Sequence, residues 1–347
     1  MINIKSVGEF FSLDIGTNAI RAIQLSKTGE NSWNLVGLGY VSVDPQLVVS
    51  ESEESRRKLG EVITTMIGQS DIKAKNVAIS LSSQKTFTTV IDVPIQDIKE
   101  LKRTMEYQLD QHIPMAIDDA KVDWVLLGES LTKPDSQEVL IASTAKNYSE
   151  GKLEFIENLG LNVIAAEPDS ISMSRSLASN YQGGQLIIDF GENSADLSML
   201  YNNAPRLVRT IPVGLGTLVK SAVQNLNIKE DQARQFILKF GLAQDKLDAQ
   251  VFRAIEVTLE NFAQEISKSI KFFSTKYPDA PVSQITVAGY AGIIPQLNEY
   301  IASKTGIQTK SGNPFQYVNV PAKYQQFIAT NGNEFAVAVG LAERSAK

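Results

Sequence analysis

An internal echo constrains this chain most. Leu13-Asp14-Ile15-Gly16-Thr17-Asn18, continuing to Arg21-Ala22-Ile23-Gln24-Leu25, returns as Ile188-Asp189-Phe190-Gly191-Glu192-Asn193, continuing to Asp196-Leu197-Ser198-Met199-Leu200. Each copy is an apolar strand ending in Asp, one apolar residue, a Gly, a short polar turn and a second strand. Period-two alternation and β-branched content support strands on both sides of each turn. The two aspartates are 175 residues apart, about half of the 347-residue chain. That separation predicts an α/β protein with two lobes on one plan.

The turn has specific chemistry. Gly16 and Gly191 permit tight turns and let a phosphate approach the backbone, with successive N–H groups aimed at its oxygens. Asp14 and Asp189, at the strand ends, suit Mg²⁺ held through water. Thr17, Asn18, Glu192, Asn193 and Ser194 would surround the phosphates; Glu192 can offer an anion only its N–H. Arg21 either reaches a phosphate or is an exposed strand residue. One such hairpin would be ordinary Asp-x-Gly turn chemistry; two favour a phosphate clamp. A third segment fits the same cleft. Gln284 to Ala288 reads as a buried strand, Gly289-Tyr290-Ala291-Gly292 as a small-residue turn able to admit adenine and ribose, and Ile293 as the start of a helix.

Composition narrows the function classes. The length predicts two or more domains. A net charge of −6 without a Lys/Arg block argues against nucleic acid. The chain has no Cys, which excludes disulfides and Cys-based zinc sites. The single histidine, His112, cannot form a histidine cluster and sits at an expected helix end before Pro114. No apolar run approaches the ~20 residues of a spanning helix, and Met1 to Phe11 lacks a signal-peptide core. The expectation is a cytoplasmic protein without direct membrane insertion; the four residues after Glu343 also leave no room for an amphipathic tail.

In order along the chain, these segments resemble the actin-like ATPase superfamily, which includes actin, the sugar kinases, FtsA and MreB, and within it the PilM family of type IV pilus assembly. Phe11–Leu25 and Leu186–Leu200 look like the two phosphate segments, Val287–Leu297 like the adenosine segment, and 167–178 and 335–342 like the connecting helices. Val93-Pro94 through Met115, Ser311-Gly312-Asn313-Pro314-Phe315 and Glu265 through Phe273 favour the PilM family within the group. The resemblance implies an actin-like ATPase fold: two RNase-H-like lobes around a nucleotide cleft, with an α+β subdomain inserted in the first lobe. It implies ATP and Mg²⁺ as cofactors, with Gly214, Gly289, Tyr290 and Ala291 joining the turn residues. Glu265 and Lys268 become ribose and adenine contacts, or else a solvated pair on one helix face. Glu167 would orient an attacking water, or Glu167-Pro168-Asp169 is simply a helix start; ATP hydrolysis is therefore expected to be weak or absent. Gly214-Leu215-Gly216 departs from the family's Gly-Gly. Tyr290 stands where a smaller residue is common, and either narrows the adenine pocket or points into the core.

The implied partners are the N-terminal cytoplasmic tail of the membrane protein PilN, in a groove between the inserted subdomain and the first lobe, and through it the inner-membrane pilus assembly complex. The protein would lie peripheral to the inner face of the membrane, with self-association left open. A small-molecule kinase or ATPase of the superfamily and an FtsA-like filament former are the alternatives. The expected boundaries are 1–75 and 165–182 for the first-lobe core, 76–164 for the insert, 183–222 and 283–347 for the second-lobe core, and 223–282 for a helical subdomain. Helices are expected over 56–68, 98–112, 152–159, 251–273 and 334–346.

Overall fold

The computed structural model describes residues 8–178 and 183–344. The expected start of the first lobe, the boundary at 182 and the last residues of the closing helix lie outside the described residues.

The chain opens with a meander: β1 (Phe10–Ile15), β2 (Ala19–Gly29) and β3 (Ser32–Ser42). A short α1 (Pro45–Val49) leads to α2 (Glu53–Gln69), which begins three residues before the expected Arg56 because Ser52 caps it, accepting from the Ser55 N–H, and Glu53 and Glu54 sit in its positive first turn. Leu59, Ile63 and Met66 of α2 pack on Phe11 and Leu13 of β1. β4 (Asn76–Leu81) then pairs parallel to β1.

An inserted unit follows: β5 (Thr86–Pro94), α3 (Ile98–His112), β6 (Ala120–Glu129), β7 (Ser136–Ala145) and α4 (Lys146–Glu157). Its three strands lie in the order β5-β7-β6. α3 covers them with Leu101 and Met105, packed on Ile91, Val93, Val139 and Ile141. Asp97 caps α3 by accepting from the N–H groups of Lys99 and Glu100, and His112 is its last residue, paired with Gln108. α4 begins six residues before the expected Lys152, directly from β7. β8 (Asn162–Pro168) returns to pair with β4.

After α5 (Asp169–Leu177), a second meander, β9 (Gly184–Phe190), β10 (Ala195–Tyr201) and β11 (Ala204–Ile211), repeats the plan of β1–β3. α6 (Leu215–Leu226), α7 (Glu230–Phe240) and α8 (Gln250–Lys276) form a helical layer against its outer face, and β12 (Val282–Gly289) pairs parallel to β9. A 3-10 turn, Tyr290–Gly292, precedes Ile293, where a helix was expected to start; residues 293–296 form turns and α9 runs Leu297–Thr305. Pro295 has no N–H to give and Gln296 takes φ 62°, so the regular helix starts only beyond them.

After β13 (Thr309–Ser311) the chain crosses back. β14 (Val318–Asn319) pairs with β3 at the far edge of the first sheet, whose order is β14-β3-β2-β1-β4-β8. Phe315, Val318 and Phe335 pack on Ile23, Trp33 and Leu35, and Lys323 of α10 (Ala322–Asn331) pairs with Asp71. The expected second-lobe span 283–347 is thus divided, its last part belonging to the first sheet. The closing helix is also shorter than 334–346 within the described residues: Gly332–Phe335 is 3-10, followed by α11 (Ala336–Ala342).

α11 is buried along its whole length and crosses α5 between the two sheets. A Cβ at Gly340 would sit 1.8 Å from the Ser172 carbonyl oxygen, so only glycine permits that approach. Ser12 and Ser176 hydroxyls donate to the Ala338 and Ala336 carbonyls, each at 2.6 Å. Among the described residues no helix is long and apolar enough to cross a membrane.

Candidate functional site

The two hairpin turns converge on one cleft between the sheets. Asp14 ends β1 opposite Arg21 on β2, and Asp189 ends β9 opposite Asp196 on β10. The echo therefore continues into the second strand of each hairpin, with Arg21 and Asp196 at equivalent positions. Asp196 faces the cleft with its Thr210 partner, and it was absent from the sequence-derived candidates although the seven-residue spacing from Asp189 repeats that from Asp14 to Arg21.

Asp14 is held by a 2.7 Å hydrogen bond from the Ser80 hydroxyl and by Arg21 at 3.6 Å. Arg21 also pairs with Glu334, so it is a partly buried cleft cation and not an exposed strand residue. Asp169, at the start of α5, accepts from the Ser83 N–H at 3.0 Å and from the Ser83 hydroxyl. Burial, aided by neighbouring carboxylates, pushes Asp169 up to about 6 and Asp189 to about 7, and raises Asp196 well above the carboxylate range. Such a group of carboxylates favours a cation.

The turns themselves are receptive to an anion. Among the described residues, no backbone or side-chain acceptor takes the N–H groups of Thr17, Asn18, Glu192 or Asn193. Asn18 Oδ1 and Arg21 Nε are buried without partners. Gly289, at φ 63°, leaves the space that Asp189 occupies; a Cβ there would meet Asp189 Oδ1 at 2.5 Å. Gly214 is packed against the carbonyls of Gly191 and Glu192. The first N–H groups of α6, those of Leu215 and Gly216, donate to the same two carbonyls. Gly214 thus shapes the second turn from behind.

Two contacts span the cleft. Asn18 Nδ2 lies 3.4 Å from the Tyr290 hydroxyl, and Gln84 Nε2 donates to Ser194 Oγ at 2.8 Å. Tyr290 therefore points into the cleft. Its neighbour Ala291 is buried against the second-sheet core. Arg234 of α7 grips Glu192 through both guanidinium nitrogens, a cleft residue with no local sequence signal. The polar orphans, the free N–H groups and the glycine cradle fit a phosphate-bearing ligand; among the described residues no three acidic side chains gather closely enough to ligate a metal directly, so a cation here would be held through water.

Three candidates fall elsewhere. Glu167 lies near the β8 terminus and is held by Arg175 at 2.6 Å and Arg344 at 2.5 Å, an ion-pair knot joining β8, α5 and the end of α11. Asp169, two residues on, is the carboxylate that the β8–α5 junction delivers to the cleft. Glu265 binds Lys268 at 2.7 Å and Arg209 at 2.6 Å. Arg209 neighbours Thr210 on β11, so its side chain leaves the opposite face of the sheet from Thr210 and Asp196. Glu265 and Lys268 are therefore the solvated pair on the α8 face, away from the two turns.

A family model described as type IV pilus assembly protein PilM matches residues 12–346. Among solved structures, the chain is similar to the PilM-PilN type IV pilus biogenesis complex at TM-score 0.82 and 21% identity, covering 98% of this chain and 99% of that one. It is similar at TM-score 0.55 and 13% identity to the ethanolamine utilization protein EutJ from Carboxydothermus hydrogenoformans, covering 96% and 89%. It also resembles MreB5 of Spiroplasma citri bound to AMPPNP, at TM-score 0.55 and 13% identity, covering 96% and 94%. The architecture is the actin-like ATPase fold.

Proposed function

Because the chain belongs to the type IV pilus assembly protein PilM family, we propose that it is an ATP-binding scaffold that holds the N-terminal cytoplasmic tail of PilN at the inner face of the membrane. The observation that carries the nucleotide half is the meeting of the Asp14 and Asp189 hairpins in one cleft, each turn offering N–H groups with no partner among the described residues. In this reading the backbone of Thr17, Asn18, Glu192 and Asn193 holds phosphate oxygens. Asp14 and Asp189 hold Mg²⁺ through water, with Asp169 and Asp196 adding negative field. The metal, when bound, neutralises phosphate charge. Tyr290, Ala291 and Arg234 border the space for the nucleoside. Arg21 is positioned to exchange its Asp14 contact for a phosphate.

The partner half rests on the family and on the inserted unit, which supplies none of the strand-end aspartates. An extended tail entering the seam between that unit and the first sheet would use backbone hydrogen bonds and a few apolar anchors. Its ordering cost leaves ~micromolar affinity, about −8 kcal/mol.

Calorimetry with Mg·ATP on folded Asp14→Ala and Asp189→Ala tests the nucleotide site. Loss of a positioning contact of ~1–3 kcal/mol predicts binding weaker by about five- to a hundred-fold. Parental affinity in both variants would overturn the assignment. Titration of a labelled PilN-tail peptide tests the partner, and absence of binding at tens of micromolar (about −6 kcal/mol) would overturn that half.

A further inference from the structure

The C-terminal end of α8 carries a feature that nucleotide binding does not use. Phe272 is 61% exposed, although its neighbour Phe273 fills the core. It lines an open, shallow groove of about 540 Å³ with Lys268, Lys271, Thr275 and Lys276, all on one face of α8. No acidic residue lines that groove, in a chain whose net charge is −6. The nearest carboxylate along the helix, Glu265, is engaged by Lys268 and Arg209. Among the described residues Lys271 has no ion-pair partner. Lys276 is fixed along the groove: its Nζ donates to the Val90 carbonyl of β5 at 3.2 Å and lies over the Tyr277 ring. The groove therefore sits where α8 meets the inserted unit.

A lysine in the last helical turn stabilises the helix dipole, which accounts for Lys276 but not for Lys268, Lys271 or an exposed Phe among them. An aromatic anchor ringed by cations is complementary to an acidic segment with one large apolar side chain. We propose that this groove docks such an acidic peptide from a protein partner, with its apolar residue on Phe272 and its carboxylates on Lys271, Lys268 and Lys276. An anionic bilayer suits the surface less well. The other large exposed apolar residue of α8, Val257, is flanked by Glu256 and Glu260, which anionic lipid would repel.

The probe is a fluorescein-labelled octapeptide of Asp and Glu around one central Phe, read by anisotropy against the full chain. An Asn/Gln version of the same peptide and vesicles containing anionic lipid serve as the other arms. The acidic peptide should bind saturably. Its affinity should fall about tenfold in K271E and about fivefold in F272S, and it should weaken as salt rises from 50 to about 300 mM. Neither side chain is in the core, so both variants should keep the parental melting profile. Failure to saturate below 1 mM, equal binding of the Asn/Gln peptide, or unchanged affinity in both variants would overturn the proposal. So would vesicle binding, lost in K271E, without peptide binding, which would assign the groove to membrane.

Discussion

Arg206 Nε lies 2.6 Å from Glu138 Oε2, with side-chain exposures of 5% and 0%, and this pair fastens the inserted unit to the second sheet. Glu138 is on β7 and Arg206 on β11. The contact is close but not aligned as a hydrogen bond, and both Glu138 oxygens lack well-directed donors. Burial pushes the Glu138 carboxyl above its usual range against the pull of Arg206. Burial, and after it the same carboxylate, push the nearby Tyr277 phenol far up. A unit that branches from the first sheet is thus fixed to the second, so any motion that parts the sheets must break this contact or carry the unit along.

Removing one partner should cost more than removing both. Glu138→Ala leaves a buried guanidinium, and ~3–5 kcal/mol of destabilisation is expected. Glu138→Leu with Arg206→Met, similar in bulk and uncharged, should recover most of it. Urea unfolding of the two single variants and the double variant checks this; additive losses would show that the pair is not coupled.

Glu167 should matter to stability and not to turnover. Its two arginine partners are partly exposed, at 32% and 27%, and can rehydrate when it is removed. Glu167→Ala should therefore cost about 1.5–3 kcal/mol, the range for hydrogen bonds to charged groups. Phosphate release from ATP should be slow in the parent and unchanged in the variant. Rapid release that vanishes in Glu167→Ala would return the residue to a catalytic role.

The parts legible in the sequence were those with short-range patterns. Alternating apolar residues, a Gly and a strand-end Asp place both hairpins, and Asp97 and Pro114 bracket α3, because the forces setting these features act within a few residues. Asp196 was equally legible, since it repeats the Asp14–Arg21 spacing. Other features had no local signal. The two-residue β14 is a strand only because β3 offers it an edge. Glu138 reads as a polar strand residue until Arg206, 68 positions later, is brought to it. Glu167 was singled out and Asp169 was not, because the point where β8 gives way to α5 decides which carboxylate turns toward the cleft, and no local pattern marks it.

Tyr290 and Asn18 form a bridge that a nucleoside entering the cleft would have to part. At 3.4 Å it is a weak neutral contact, worth ~0.5–1 kcal/mol. Tyr290→Phe should thus tighten ATP binding about two- to fivefold by removing the competing contact. Calorimetry on the variant decides it. Weaker binding would show instead that the hydroxyl touches the nucleotide.

Stability should fall as pH rises from about 5 to 8. Burial pushes Glu343 up to about 8, with Arg175 offsetting only part of the effect, and pushes Asp189 to about 7 and Asp169 to about 6. The unfolded chain releases these protons near the ordinary carboxylate values, 4.5 for Glu343, while the folded chain keeps them. Between those limits the folded state binds more protons, so the stabilisation is complete below about pH 3.8, the ordinary aspartate value, and is lost progressively as pH rises through the folded values. Thermal melts across this range should show a steadily falling midpoint. Glu343→Gln keeps the shape without the titration and should flatten the upper part of the slope, from about pH 7 to 8.5. Mg·ATP should raise the midpoint most at pH 8, where Asp189 is ionised in the folded state and a cation relieves it. A midpoint that rises with pH, or a slope identical in Glu343→Gln, would show that these carboxyls are ionised in the folded protein well below pH 7.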